Sequence, residues 1–292
     1  MRFSREETLA TADGARLWYA EVGGGDPPLV LCDGLGCDGF AWKHLAPRLA
    51  SRRRVLRWHY RGHGLSGLAS DASRLGIDYA ADDLDAILAA AGLESAVVLG
   101  HSMGVQVGFE LHRRHPSRVR GLIPICGSYG NPLDTVHDDT TVKRVVPYLY
   151  RAAQAFPNFT RALTRALLPS ELTLQYALWR EVDRRLVRRE DFEPYFAHLA
   201  RMDPLVLLRT LQSAADHSAW DHLSRIAIPT LIIAAERDTL TPLWLSERMH
   251  RAIRGSELLV VPQGTHTAVI EQPELIASRI ERFLEKRFPS TE

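Results

Sequence analysis

The amino-acid sequence predicts an α/β fold: a mostly parallel sheet with helices on both faces and an inserted helical lid. Short aliphatic or β-branched runs recur, and most are followed by a turn and a helical pattern, the order that parallel strands need for their crossovers. Between about residues 127 and 222 this alternation stops, and the chain becomes rich in Arg, Leu, Ala and aromatics, broken by prolines. A length of 292 residues also suits one core with an insertion, since about 150 residues is the ordinary size of a domain. The expected division is a core of residues 1–127 and 222–292 with a helical cap of residues 128–221.

Taken in order, residues 16–22 and 29–32 read as early strands parted by the turn-forming Gly23-Gly24-Gly25-Asp26-Pro27-Pro28. Further strands are expected at 54–59, 96–99, 119–125, 230–235 and 257–261. Helical patterns intervene at 41–50, 79–91, 103–115, 243–253 and 273–288. Within the insertion, Pro132, Pro147, Pro157, Pro169, Pro194 and Pro204 mark turns between short helices. There is no fixed-period repeat and no low-complexity stretch.

Composition narrows the function classes. With 36 Lys plus Arg against 35 Asp plus Glu, the net charge is +1, so no overall field attracts nucleic acid or an acidic membrane. The cysteines, Cys32, Cys37 and Cys126, do not make a disulfide scaffold and read as small buried hydrophobes. The amino-terminal MRFSREETLATADG is charged where a signal peptide is apolar, and no run approaches the roughly 18 apolar residues of a membrane span. A cytoplasmic protein without a membrane span is therefore expected. No phosphate-cradling or zinc-binding motif is present, and neither metal nor cofactor is expected.

The chemistry centres on Gly100-His101-Ser102-Met103-Gly104, a G-x-S-x-G between a strand-like and a helical segment. A serine on so sharp a turn needs neighbours without bulk, which Gly100 and Gly104 supply. A serine hydroxyl is a weak nucleophile at neutral pH and needs a base with a third group to orient it. Asp238, after strand 230–235, and His266, after strand 257–261, lie beyond the carboxyl ends of strands, as does Ser102. Glu236 lies nearer its strand and reads as a structural contact. His101, beside the serine, reads as packing. Oxyanion donors are expected from the Met103 and Leu35 N–H groups, the latter in a loop shaped by Asp33, Gly34 and Gly36.

At these residues the chain resembles the α/β-hydrolase superfamily, in particular its lidded serine hydrolases of the esterase and lipase kind. The order Ser, Asp, His is that of the superfamily, and Tyr60-Arg61-Gly62-His63-Gly64-Leu65-Ser66 is similar to its R-G-x-G-x-S turn. One departure is the oxyanion loop, which begins Asp33-Gly34 where similar proteins have His-Gly. Asp33 is expected to turn away and accept backbone N–H bonds in an Asx-type turn, the alternative being that it positions a water or a polar substrate group.

The expected substrate is a small or medium hydrophobic carboxylic ester, with Phe40, Trp42, Tyr129, Tyr148 and Trp179 as candidate pocket residues. The same triad leaves open an acyltransferase, a lactonase or thioesterase, a carbon-carbon bond hydrolase, or a hydrolase-like receptor. The arginines of the insertion, among them Arg151, Arg161, Arg165 and Arg188, read as a solvated face. The alternative for them is a docking surface for an acidic carrier or for the carboxylate of a substrate, and a homo-oligomer is also left open.

Overall fold

The structure is a computed structural model that describes residues 3–131, 140–167 and 187–289. Eight strands form one sheet among the described residues: β1 (Arg5–Ala10), β2 (Arg16–Val22), β3 (Leu29–Cys32), β4 (Val55–Trp58), β5 (Ala96–His101), β6 (Val119–Ile125), β7 (Leu231–Ala235) and β8 (Glu257–Val261). Their spatial order is β1-β2-β4-β3-β5-β6-β7-β8. The β1–β2 and β2–β4 pairings are antiparallel, and all the others are parallel.

The first strand, β1, is a correction to the sequence reading, which began the sheet at residue 16. Its sequence Arg-Glu-Glu-Thr-Leu-Ala has no apolar periodicity because it is an edge strand with little buried surface. It is held instead by its ladder to β2 and by Arg5, which reaches Glu21 across that ladder at 3.4 Å.

The central strands are apolar throughout because both faces of the sheet are covered. Successive side chains alternate between two cores: Val30, Cys32 and Val98 face one, while Leu29, Leu31, Val97 and Leu99 face the other. The first core is covered by α2 (Ile77–Ala90) and α3 (Met103–Arg114), and the second by α1 (Leu45–Ala50). The helix expected at 41–50 divides into a 3-10 turn at Phe40–Trp42 and α1.

After β6 the described chain is helical: α4 (Thr140–Ala155), α5 (Pro157–Leu167), α6 (Arg189–Arg201), α7 (Pro204–Asp216) and the short α8 (Trp220–Leu223). Asp203 caps α7 by accepting from the Leu205 N–H at 3.0 Å, and Pro204 presets its first turn. Helices α4, α5 and α7 pack together, and α6 lies against both α5 and the Phe40–Trp42 turn. The core resumes with α9 (Leu243–Ala252), α10 (Ala268–Glu271) and α11 (Pro273–Arg287). No helix among the described residues is long and apolar enough to cross a membrane.

Candidate active site

Ser102 joins β5 to α3 with φ 55° and ψ −118°. That left-handed conformation costs a non-glycine residue about 1–3 kcal/mol and persists only where packing over-determines it. Here the glycines do so. A Cβ at Gly104 would stand 2.2 Å from the Cys32 carbonyl oxygen, and one at Gly100 would stand 2.3 Å from that of Gly104. The first turn of α3 therefore rests backbone to backbone on the end of β3, which brings the serine beside the loop that follows β3.

His266 Nε2 lies 2.9 Å from Ser102 Oγ, and its Nδ1 lies 2.9 Å from Asp238 Oδ2 and 3.2 Å from Oδ1. A carboxylate only accepts, so Nδ1 carries the proton and Nε2 is free to accept from the serine. Asp238 is buried, which pushes its pKa up. The charge and hydrogen bond of His266, with the N–H and hydroxyl of Thr241, outweigh this and hold the carboxyl below its usual range. The Leu240 and Thr241 N–H groups donate to Oδ1 at 2.9 and 2.8 Å, and Thr241 Oγ1 donates to Oδ2 at 2.7 Å.

Two further supports were not anticipated. Glu271, on α10, accepts from the Thr265 N–H at 2.8 Å and from the Thr267 hydroxyl at 3.0 Å, so it grips the loop on both sides of His266. The spacing from His266 to a carboxylate on the following helix is the only sequence sign of it. His101 was read as packing, but its Nε2–H also donates to the His266 carbonyl oxygen at 3.0 Å. Burial, and next the charge of His266, push the His101 pKa down to about 4, so it stays a neutral donor. Glu236 accepts from the Gln263 N–H at 2.7 Å, a structural contact between the ends of β7 and β8.

The loop after β3 turns at Gly34–Cys37, with the Cys37 N–H donating to the Gly34 carbonyl at 3.2 Å. Among the described residues neither the Leu35 nor the Met103 N–H has a protein acceptor. Asp33 is buried and turned out of the cavity lining, as expected, but the backbone N–H that acts on its carboxyl is that of Gly39 rather than one two residues on, and its Oδ1 has no hydrogen-bond partner among the described residues. Burial pushes its pKa up to about 7, opposed by Arg57 and reinforced by Asp38.

Ser102 and His266 open on a cavity of about 390 Å³. Its walls are Leu35 and Phe40 from the core and Phe192, Tyr195, Phe196 and Leu199 from one face of α6. Phe40 stands 5.1 Å from both the Tyr195 and the Phe192 ring. The Tyr195 hydroxyl also donates to the Leu35 carbonyl at 3.5 Å. No Lys, Arg, Asp or Glu lies among the described lining residues.

Of the pocket candidates read from sequence that fall among the described residues, only Phe40 lines this cavity. Trp42 is buried, edge-on to His101 at 6.4 Å. Tyr129 packs on Trp220 at 5.1 Å, beside a separate cavity. Tyr148 is 69% exposed, and Trp179 lies outside the described residues. Phe192 was missed because its helix begins with a charged Arg-Glu-Asp stretch. Among the described residues no group of three or more His, Cys, Asp or Glu side chains could hold a metal ion.

Comparison with known proteins agrees with this architecture. The protein named putative carbamate hydrolase RutD of Azorhizobium caulinodans is 27% identical over 260 residues, 88% of this chain and 91% of its own. Its namesake in Escherichia coli (strain K12 / DH10B) is 29% identical over 250 residues, 85% of this chain and 87% of its own. A solved hydrolase from Pseudomonas aeruginosa PA01 is similar in structure, with a TM-score of 0.75, 25% identity, and coverage of 96% of this chain and 98% of that one. An esterase from Exiguobacterium antarcticum has the same TM-score at 20% identity, covering 96% and 100%. The alpha/beta hydrolase fold family matches residues 27–273, and the chain belongs to that family.

Proposed function

We propose that this chain is a serine hydrolase that cleaves small or medium hydrophobic carboxylic esters through an acyl-enzyme. The observation that carries the reading is the unbroken hydrogen-bonded series Asp238, His266, Ser102 opening on an apolar cavity of about 390 Å³. Ser102 Oγ attacks the carbonyl carbon while His266 Nε2 takes its proton. Asp238 stabilises the imidazolium, and the Leu35 and Met103 N–H groups receive the oxyanion. His266 then protonates the leaving alcohol, and water activated by the same nitrogen releases the acid. Residues 128–221 act as the cap, with α6 forming the acyl-pocket wall.

The relatives' name points to a second reading, hydrolysis of a carbamate by the same acyl transfer. A free carbamate is an anion, and the described lining supplies no cation to hold it, so a neutral ester is favoured. The test is hydrolysis of p-nitrophenyl esters from acetate to long chains, beside carbamate, with Ser102→Ala as control. Turnover of medium-chain esters by the unmodified protein alone supports the proposal. Turnover confined to carbamate overturns the substrate, and turnover by Ser102→Ala overturns the mechanism.

A further inference from the structure

Helix α5 is amphipathic in the reverse of the usual sense. Its inward side carries the half-buried Pro157, Thr160, Arg161 and Thr164, with Arg161 paired to Asp203 at 2.8 Å. Its outward side carries Phe159 and Leu163, continuing the line of Phe156 just before the helix; these are 68, 45 and 66% exposed. On α4, Tyr148 and Leu149 are exposed as well, at 69 and 53%. A helix at a water boundary normally turns its apolar stripe inward, and contiguous exposed apolar surface marks a contact with something other than water.

Charge decides among the occupants. Residues 140–167 carry five Lys and Arg in sequence and no Asp or Glu, although the whole chain is only +1; Arg161 is taken by Asp203, while Arg151 and Arg165 are exposed. A second copy seated face to face would bring like charges together. An anionic bilayer surface meets both needs: its acyl boundary takes the aromatic and aliphatic side chains, and its phosphates take the cations. We propose that the apolar face of α4 and α5 docks this protein on an anionic lipid surface, lying on it and not crossing it. Since α5 packs on α6, this surface is one helix away from the wall of the cavity. An apolar ester dissolved in the lipid would thus be concentrated near Ser102.

The test is co-sedimentation with vesicles of phosphatidylcholine alone and of phosphatidylcholine with phosphatidylglycerol, comparing the unmodified protein with Phe159→Asp/Leu163→Asp. The expected result is binding to the anionic vesicles, weakened at least about tenfold in the variant. Binding should also weaken as salt rises from about 0.1 M to about 0.5 M. Hydrolysis of a soluble p-nitrophenyl ester by the variant should stay within about twofold, since neither residue lines the cavity. Three outcomes overturn the proposal: protein left in the supernatant with every vesicle, equal binding by the variant, or an unmodified dimer that the variant splits. The last would assign the face to self-association.

Discussion

His101, the residue before Ser102, donates a hydrogen bond from Nε2 to the carbonyl oxygen of His266 at 3.0 Å. The turn that presents Ser102 thereby also carries the loop of His266, the base in the proposed reaction. His101→Leu removes this tie to the His266 carbonyl and lets the loop drift, so kcat should fall about tenfold or more with KM little changed. Its pKa near 4 keeps His101 neutral at working pH, so the variant should reproduce the unmodified pH profile between about 6 and 9 at lower amplitude. A displaced profile would mean that His101 itself exchanges protons in the reaction.

Removing either reacting side chain, by Ser102→Ala or His266→Ala, should abolish ester turnover while leaving the melting temperature nearly unchanged. Asp238→Asn should cost about 10³–10⁴-fold in kcat by disturbing the tautomer of His266. Thr241→Val, which removes the 2.7 Å bond to Asp238 and the 3.4 Å contact of the same hydroxyl with His266 Nδ1, should cost about tenfold. Steady-state kinetics on one ester ranks all four, and full activity in Asp238→Asn would displace Asp238 from the site.

Asp33→Asn separates stability from catalysis. With a folded-state pKa of about 7 against the usual 3.8, Asp33 holds its proton in the folded protein while the unfolded chain has lost it. The fold therefore loses stability as pH rises between those values, and above about 7 it carries a buried charge. The melting temperature of Asp33→Asn relative to the unmodified protein should rise by several degrees from pH 5 to pH 8. Esterase activity should stay within about threefold, because the carboxyl lies outside the cavity lining. A large loss of activity would return Asp33 to the reaction.

Phe192→Ala opens the cavity wall opposite Phe40. The ratio of kcat/KM for hexanoate over butyrate should rise about tenfold, the worth of one or two methylenes in an apolar pocket. An unchanged chain-length series would mean that the acyl group lies elsewhere.

Gly104→Ala tests the backbone contact under the nucleophile. The new Cβ would lie 2.2 Å from the Cys32 carbonyl oxygen, which only separation of α3 from β3 can relieve. A loss of about 3 kcal/mol or more is expected in denaturant titration. An unaltered midpoint would show that the elbow has room to spare.

The parallel sheet was legible because strands such as Leu29–Cys32 and Ala96–His101 are buried on both faces and read as continuous apolar runs. Edge strand Arg5–Ala10 was not, since backbone pairing leaves no periodic trace in a charged segment. Ser102, Asp238 and His266 stood out as residues just beyond strand ends, and the structure brings all three within hydrogen-bond distance. Thr241 and Glu271 were hidden because they act on loop backbone and on other side chains, and such contacts have no fixed spacing. The pocket wall was misplaced most. An aromatic count does not say which side of a helix faces inward, and α5 turns its apolar side out while α6 turns its own in.

Tyr195 is both wall and strut: its ring stacks on Phe40 inside the cavity while its hydroxyl reaches the Leu35 carbonyl. Selectivity and rate are therefore not separable modules in this protein. On the proposed function, a mutagenesis library that randomises α6 to admit new acyl groups should also disturb the loop of Leu35. Gains in scope should come with slower turnover unless position 195 is held fixed, and residues 192, 196 and 199 are the ones to diversify.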